Sequence, residues 1–262
     1  MNSLNIEGLT DSEEFEANEI INSTLDISDS SILFLNNKSS EKLDEYISGV
    51  LEKDFKKIVT SENCSISNEK IIKVKNYDEV FNKALEKICP NYLNKNYYGL
   101  TGTNGKTTTG FYLNQLISHP SLFIGTTEEN IFNKITNEKH LTTPKLFNII
   151  KLLGLKENSN INDVVVEVSS HALDQERLKG LKFIVSGFTN LSQDHFDYHK
   201  NIDNYFNSKL KLFNNDISEK LVYIDSEWGN KVNSLTTIPS FSIGLNKTNN
   251  LYIKDMITSK EK

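Results

Sequence analysis

Short apolar runs alternate with amphipathic stretches along most of the chain. Before residue 90, runs such as SILFL and KKIVT are separated by SEKLDEYISGVLEKD and YDEVFNKALEKI, where apolar residues recur every three or four positions. Short apolar runs predict strands, and the recurrence predicts amphipathic helices. We therefore expect a small α/β domain over residues 1–92, ending in a linker at CPNYLNKN.

The alternation continues beyond this linker. The pattern predicts a strand at Tyr97–Thr101, a loop, a helix at Thr107–Ile117, and then the strands SLFIG, DVVVEVS and FIVSGFTN with helices between them. Such a series is typical of a parallel sheet covered on both faces. The expected fold class is α/β, with a P-loop-type, mostly parallel sheet over residues 93–262. The tail IGLNKTNNLYIKDMITSKEK lacks the elements that would complete this sheet, so we expect a partial domain.

Composition argues against several classes of function for this protein. The 262 residues carry a net charge of -6, without the basic surplus that nucleic-acid binding usually needs. No apolar run approaches the roughly 18 residues of a membrane span, and the acidic N-terminal stretch is unlike a signal peptide. Cys64 and Cys89 have neither metal-site nor disulfide-framework spacing. A cytoplasmic protein without nucleic-acid partners is expected.

The segment YYGLTGTNGKTTTGFYL places two glycines and a Lys-Thr pair between a strand and a helix. Gly102 and Gly105 allow a turn that points N–H groups inward, toward the positive end of the helix. Such a loop binds phosphate: Lys106 would reach the outer phosphates of a nucleotide, and the Thr107 hydroxyl would bind Mg²⁺. Leu100 replaces the first glycine of the usual P-loop pattern, so a generic GTPase or kinase is disfavoured. The expected nucleotide-binding residues are Gly102, Thr103, Asn104, Gly105, Lys106, Thr107 and Thr108.

The segment VVVEVSSHALDQER carries a second set of candidates. Glu167 lies inside an apolar strand, where its charge needs a cation; Mg²⁺ beside a triphosphate and a structural ion pair are the two alternatives. Arg177 is the only arginine among 29 basic residues, and a guanidinium contact to an anionic substrate and a solvated helix start are its two alternatives. Ser169, Ser170 and Gln175 offer further donors.

A third segment, FTNLSQDHFDYH, follows a predicted strand and is rich in polar side chains. Asp194, His195, Asp197 and His199 crowd this loop. The spacing of His195 and His199 is compatible with zinc, but no third ligand stands at suitable spacing.

The fourth segment, NIDNYFNSKLKLF, predicts a helix with an unexpected lysine. One face is apolar and comprises Ile202, Tyr205, Phe206, Leu210 and Phe213. Lys209 falls within that apolar face, whereas Lys211 points away from it. Two interpretations are open: Lys209 extends to the surface along its aliphatic stem, or burial keeps its amine neutral and able to capture carbon dioxide.

Five blocks, in order, resemble the Mur ligase family: GLTGTNGKTTT, LTTP, VEVSSHALDQER, FTNLSQDHFDYH and YFNSKLKLF. The resemblance covers about residues 96–245 well. Residues 1–90 match loosely, since NST stands at 22–24 where the family usually shows Asp-Ser-Arg.

The resemblance implies a ligase that uses ATP and Mg²⁺ to convert the terminal carboxylate of UDP-MurNAc-L-Ala-D-Glu into an acyl phosphate. A diamino acid, meso-diaminopimelate or lysine, would attack it to form an amide during peptidoglycan synthesis. It also implies a UDP-MurNAc-binding N-terminal domain. A monomer is expected, although the sequence does not fix the oligomeric state.

Site residues follow from the resemblance by position. Substrate contacts are implied for Ser23, Thr142, Thr143, Ser169, Gln175 and Arg177. Metal-site residues are Thr107, Glu167, His195 and Lys209, the last as a carbamate. Lys106, His195 and Lys209 are the implied catalytic residues.

Members of the family continue with the rest of the ATPase domain and a C-terminal ligase domain, both of which are expected to be absent here. The chain is therefore expected to be a portion of a ligase. A non-catalytic protein that binds nucleotides and UDP-sugar peptides is one alternative. A relative of folylpolyglutamate synthase is another, although it gives no reason for VEVSSHALDQER.

Overall fold

A computed structural model describes residues 19–22, 27–126 and 141–254 of the chain. The chain divides into two compact units. The first is formed by residues up to Tyr92 and by Ile150–Ser159, and the second by the other described residues. Within the described ranges, no helix has both the length and the apolar character needed to cross a membrane.

The first unit is built on a parallel sheet with the strand order β1-β2-β3-β4. Its strands are β1 (Ile20–Ile21), β2 (Ile32–Phe34), β3 (Lys57–Ser61) and β4 (Ile71–Val74), and its helices are α1 (Ser40–Ser48) and α2 (Tyr77–Ile88). Ser39 caps α1 by accepting a hydrogen bond from the Lys42 N–H. The helix ends at Ser48, earlier than the pattern predicts, because Gly49 is a weak helix former and caps it.

An apolar cluster forms the core of this unit. Its buried members are Ile21, Leu33, Leu35, Leu43, Ile47, Val50, Phe55, Ile58 and Cys64. Cys64 and Cys89 are both buried, and neither forms a disulfide.

The second unit contains a seven-stranded sheet with the order β11-β10-β9-β8-β5-β7-β6, in which every pairing is parallel. The strands are β5 (Asn96–Thr101), β6 (Ser121–Ile124), β7 (Asp163–Glu167), β8 (Phe183–Phe188), β9 (Leu221–Ile224), β10 (Ser240–Gly244) and β11 (Leu251–Tyr252). The parallel α/β arrangement predicted from the sequence is thereby confirmed.

Six helices of the described chain follow α2. They are α3 (Lys106–Leu116), α4 (Leu146–Leu153), α5 (Ser170–Asp174), α6 (Phe196–His199) and α7 (Ile202–Leu210), and α8 (Glu227–Leu235) comes after β9. Short 3₁₀ turns occupy Tyr92–Asn94, Lys156–Asn158 and Lys211–Phe213. The first strand and helix of this unit each begin one residue earlier than predicted, at Asn96 and Lys106.

The central position of β5 determines where a ligand binds. After β5 the chain reaches β7 on one side of it and then β8 on the other. In open parallel sheets, the crevice beyond the carboxyl ends of the strands at such a reversal is the usual ligand site. The loop between β5 and α3 opens into this crevice.

Candidate active site

The loop between β5 and α3 is shaped by two glycines. Gly102 has a φ of 147°, and a Cβ added there would lie 2.0 Å from the Thr189 side-chain oxygen. Gly105, with a φ of 83°, caps the N-terminus of α3 in the left-handed conformation. A side chain at the first position would collide with the next loop, so only glycine keeps this turn without displacement.

The loop after β8 holds the glycine loop in place. The Thr103 N–H donates to the Asn190 carbonyl at 3.0 Å, and the Asn104 N–H donates to the Asn190 side-chain oxygen at 2.9 Å. The Ser192 N–H donates to Thr103 Oγ1 at 2.9 Å. These bonds fix the loop before any ligand arrives, which reduces the entropic cost of binding.

Two lysine side chains converge on one carbonyl of this loop. Lys106 Nζ donates to the Gly102 oxygen at 3.0 Å and to the Thr103 oxygen at 2.8 Å. Lys209 Nζ donates to the same Gly102 oxygen at 2.9 Å. Burial lowers the pKa of Lys106, while the negative charges of Glu167 and Asp194 oppose that change.

Lys209 is buried, with 1% of its surface exposed, so the interpretation in which it extends to the surface is wrong. Its amine also lies 4.3 Å from the ring centre of Tyr205, whose hydroxyl is 3.4 Å from Thr103 Oγ1. Burial, followed by the charge of Lys106, lowers the pKa of Lys209 to about 7, and Asp194 opposes this shift. A substantial neutral fraction of this amine is therefore present near neutral pH.

Glu167 approaches the same loop from β7, where it pairs with Leu100 of β5. It is 1% exposed, and burial raises the pKa of its carboxyl group. Hydrogen bonds from the Thr107 hydroxyl and the Thr126 N–H oppose that rise. A buried carboxylate beside the hydroxyl at the start of α3 is an oxygen-rich arrangement that suits Mg²⁺.

Residues 100–262 match the Mur ligase middle domain, a range that begins within β5 and contains Lys106, Glu167 and Lys209. The chain belongs to the Mur ligase family. The matched range contains strands β6–β11 in full and the last two residues of β5.

Two curated Mur ligases that carry the same name are similar to this chain over most of its length. The UDP-N-acetylmuramoyl-L-alanyl-D-glutamate--2,6-diaminopimelate ligase of Clostridium tetani is 34% identical over 217 residues, which are 79% of this chain and 44% of that relative. The protein of the same name from Clostridium botulinum is 37% identical over 191 residues, 70% of this chain and 37% of the relative. The chain thus spans less than half the length of these relatives.

Solved Mur ligase structures share the fold. A UDP-N-acetylmuramoyl-L-alanyl-D-glutamate--2,6-diaminopimelate ligase aligns with a TM-score of 0.69 at 20% identity, covering 90% of this chain and 50% of its own. The MurF ligase from Thermotoga maritima, in complex with ADP, aligns with a TM-score of 0.56 at 12% identity, covering 94% and 55%. At these identities the similarity concerns the fold alone.

A second group of predicted residues lies where β7 leads into α5 of this Mur ligase chain. The Thr143 hydroxyl donates to the Glu167 carbonyl at 2.7 Å and accepts from the Ser169 N–H at 2.8 Å. Arg177 donates to the Thr143 carbonyl at 2.9 Å and to the Gln175 side-chain oxygen at 2.9 Å. The structure therefore brings Thr143, Ser169, Gln175 and Arg177 together, with the guanidinium orientation fixed by its neighbours.

His195 stands at the N-terminus of α6 with a φ of 52°. Its side chain is 48% exposed, and Nε2 lies 3.4 Å from Asp194 Oδ2. The ring contacts His171 at 4.9 Å and Tyr205 at 6.0 Å between centroids. The Tyr205 ring is therefore a neighbour of both His195 and Lys209.

Clusters of three or more His, Cys, Asp or Glu side chains able to hold a metal do not occur among the described residues. The predicted metal set contains only two such residues, Glu167 and His195, and adds the Thr107 hydroxyl and a modified lysine. Thr108 is an exposed residue on the first turn of α3, and Thr142 is half-buried beside Thr143. Ser23 lies outside the described residues.

Three contacts of the site were not singled out from the sequence. Asn190 stands in the quoted segment FTNLS, where its position just after a strand is a usable signal. Tyr205 was assigned only to the apolar face of its helix, although its hydroxyl reaches Thr103. Thr126, which donates to Glu167 at 3.3 Å, carries no signal in its local sequence.

Proposed function

We propose that this chain is part of an ATP-dependent amide ligase of peptidoglycan precursor synthesis. Its substrates would be UDP-MurNAc-L-Ala-D-Glu and a diamino acid, with meso-diaminopimelate favoured over lysine because the curated relatives are named for diaminopimelate. The observation that carries the proposal is the convergence of Lys106 and Lys209 on the Gly102 carbonyl.

The chemistry matches this arrangement. A carboxylate is a poor electrophile, so transfer of the terminal phosphate of ATP to it supplies a leaving group. The amine then attacks the acyl carbon, releasing phosphate and leaving an amide and ADP. Lys106 and the N–H groups at the N-terminus of α3 would stabilise negative charge on the transferring phosphate.

Mg²⁺ fits the residues present. The buried Glu167 carboxylate has a raised pKa, which a cation would reverse, and the Thr107 hydroxyl adds a second oxygen ligand. His195 and a carbamate on Lys209 would complete the set. Mg²⁺ would neutralise part of the charge on the ATP phosphates.

The carbamate follows from the neutral amine of Lys209. The amine nitrogen would attack the carbon of carbon dioxide and release a proton, which gives an anion in place of a buried cation. Labelling with ¹³C-bicarbonate and Mg²⁺ should give a carbamate resonance that is lost in Lys209→Ala and kept in Lys211→Ala. Loss in Lys211→Ala, or no signal in protein that binds ATP, would contradict the assignment.

The substrate would contact Thr142, Thr143, Ser169, Gln175 and Arg177, with Ser23 near its uridine diphosphate end. We assign residues 1–92 as a UDP-MurNAc-binding-type domain and residues 93–262 as a partial central ATP-binding domain. The protein would act as a cytoplasmic monomer.

Calorimetric titration with Mg²⁺-ATP and with UDP-MurNAc-L-Ala-D-Glu tests the proposal. Both should bind, and hydroxylamine should trap the acyl phosphate as a hydroxamate if the chain performs the first half of the reaction. Lys106→Ala should weaken ATP binding at least tenfold without changing the thermal midpoint, because a phosphate contact is lost. Lys211→Ala removes an equal charge elsewhere and should bind normally.

Each outcome has a clear meaning. Binding of both ligands without hydroxamate would favour the non-catalytic alternative, in which the nucleotide and UDP-sugar-peptide sites remain but the reaction does not occur. Absence of binding by either ligand would overturn the proposed function.

A further inference from the structure

A histidine outside the predicted site links three helices. His199 ends α6 and is 5% exposed. Its Nε2 lies 2.9 Å from Ser170 Oγ of α5, and its Nδ1 lies 3.3 Å from Ser208 Oγ of α7. Ser170 is 1% exposed and Ser208 is 5% exposed, so all three side chains of this Ser170–His199–Ser208 relay are buried.

Each end of the relay adjoins a different part of the site. Ser170 follows Ser169, which caps α5 and contacts Thr143. Ser208 precedes Lys209, whose amine donates to the Gly102 carbonyl. The relay therefore runs from the substrate-binding side of the site to the nucleotide loop.

The imidazole ring of His199 makes a second contact on the side that faces Lys209. Its centroid lies 5.2 Å from that of Tyr205, the ring that carries the Lys209 amine on its face. Two contacts of His199, the Ser208 hydrogen bond and the Tyr205 ring, thus connect α5 to the immediate surroundings of Lys209.

The chemistry of the ring suits a link between two hydroxyl groups. Burial, followed by the neighbouring His171, lowers the pKa of His199, so the ring is neutral near pH 7. A neutral imidazole donates from one nitrogen and accepts at the other, and each serine hydroxyl can rotate to match. An apolar ring would fill the same space, but it would leave both hydroxyl groups without this partner.

We infer that His199 is a positioning residue that couples binding of the UDP-sugar peptide at α5 to the placement of Lys209 beside the nucleotide loop. The inference rests on the proposed function, because it assumes that the two ligands occupy these two parts of the site.

The test measures how one ligand changes the affinity for the other. Titrations of the whole chain with Mg²⁺ and a non-hydrolysable ATP analogue are performed with and without saturating UDP-MurNAc-L-Ala-D-Glu. In the wild type, the peptide should tighten nucleotide binding about tenfold, within the usual range of coupling between sites. In His199→Phe, which keeps a ring but removes both hydrogen bonds, the effect should fall below twofold while each ligand still binds alone.

Variants that remove only one of the two serine hydrogen bonds keep the test decisive if His199→Phe does not fold. Ser170→Ala and Ser208→Ala each cut one hydrogen bond, and each should reduce the coupling below about threefold. The matched control is Ser186→Ala, which breaks another buried serine pair, Ser186 Oγ to Ser218 Oγ at 2.6 Å, and should keep the full coupling.

Two results would overturn the inference and are distinguishable from failure of the proposed function. Wild-type protein that binds both ligands independently, or relay variants that keep tenfold coupling, would remove the role of His199 while the ligase assignment stands. Failure of the wild type to bind either ligand would remove both.

Discussion

Strand β7 has a buried carboxylate at each end, and their surroundings differ. Asp163, at the amino end, accepts hydrogen bonds from the Tyr98 hydroxyl at 2.9 Å and from the Asn96 amide at 3.2 Å. His119 Nδ1 lies 3.2 Å from its other oxygen. These partners come from the protein itself and surround the carboxylate on both oxygens.

Glu167, at the carboxyl end, is surrounded less favourably for its charge. The Thr107 hydroxyl and the Thr126 N–H, the latter at 3.3 Å, donate to it, and burial still raises the pKa of the group despite these bonds and the nearby Lys106. This difference distinguishes a carboxylate that stabilises the fold from one that can bind a cation. A buried carboxylate with strong internal partners stabilises the fold, whereas one whose charge remains costly can gain from an external cation.

The largest expected effect is on stability, at Asp163. Asp163→Ala should lower the free energy of unfolding by about 3 kcal/mol, because it leaves the Tyr98 hydroxyl and the Asn96 amide without their buried acceptor. Urea unfolding at pH 7 measures this. Tyr98→Phe removes a single donor and should cost about 1 kcal/mol. A loss below 1 kcal/mol in Asp163→Ala would erase the distinction between the two ends of β7.

The second expected effect, at Glu167, is on ligand binding rather than on stability. Glu167→Gln keeps the size and removes the charge, so nucleotide affinity in Mg²⁺ should fall about 30-fold, equivalent to about 2 kcal/mol. Its free energy of unfolding should stay within about 0.5 kcal/mol of the wild type.

Removal of the metal provides the control for Glu167. Addition of EDTA should weaken nucleotide binding by the wild type and leave Glu167→Gln almost unchanged. An equal response of both proteins to EDTA would mean that Glu167 does not act through Mg²⁺.

The smallest expected effect is the change in the free energy of unfolding per pH unit at Lys209. It extends the comparison to a buried lysine. The folded pKa of Lys209, about 7, is below its ordinary value of 10.5, so between these values the unfolded chain binds more protons. The stability contributed by this group is therefore fully present above pH 10.5 and is lost progressively as the pH falls to about 7. Relative to Lys209→Met, the wild-type free energy of unfolding should rise by on the order of 1 kcal/mol per pH unit from about 7 to 10.

Carbon dioxide must be absent from that measurement, since a carbamate would replace the titrating amine. Urea unfolding in degassed buffer with EDTA meets this condition. A constant difference between the two proteins across the range would show that Lys209 is not held in a neutral state by burial.

Local pattern was sufficient for much of the fold and for part of the site. The strand, glycine loop and helix around Lys106 lie close together in sequence, so their local periodicity predicts them. The position of Lys209 on the apolar face of α7 also follows from helical periodicity, although periodicity left burial and extension to the surface as two open interpretations.

Contacts between distant segments could not be predicted in the same way. Periodicity shows that Asp163 begins an apolar strand, but not that Tyr98 and His119 are its partners. His199 was considered only as a possible zinc ligand, and its bonds to Ser170 and Ser208 depend on how three short helices pack. Convergence of two lysines on the Gly102 carbonyl likewise depends on tertiary packing.

The position of β5 in the sheet also sets the order of events during synthesis. β5 pairs with β8, and the glycine loop that follows it is held by Asn190 and by Lys209, which lies 107 residues downstream of Gly102. Contacts at such sequence separations form slowly, because a long loop must close first. A ribosome therefore synthesises the glycine loop long before its supporting residues, so the loop cannot make these contacts until Lys209 has been added to the chain.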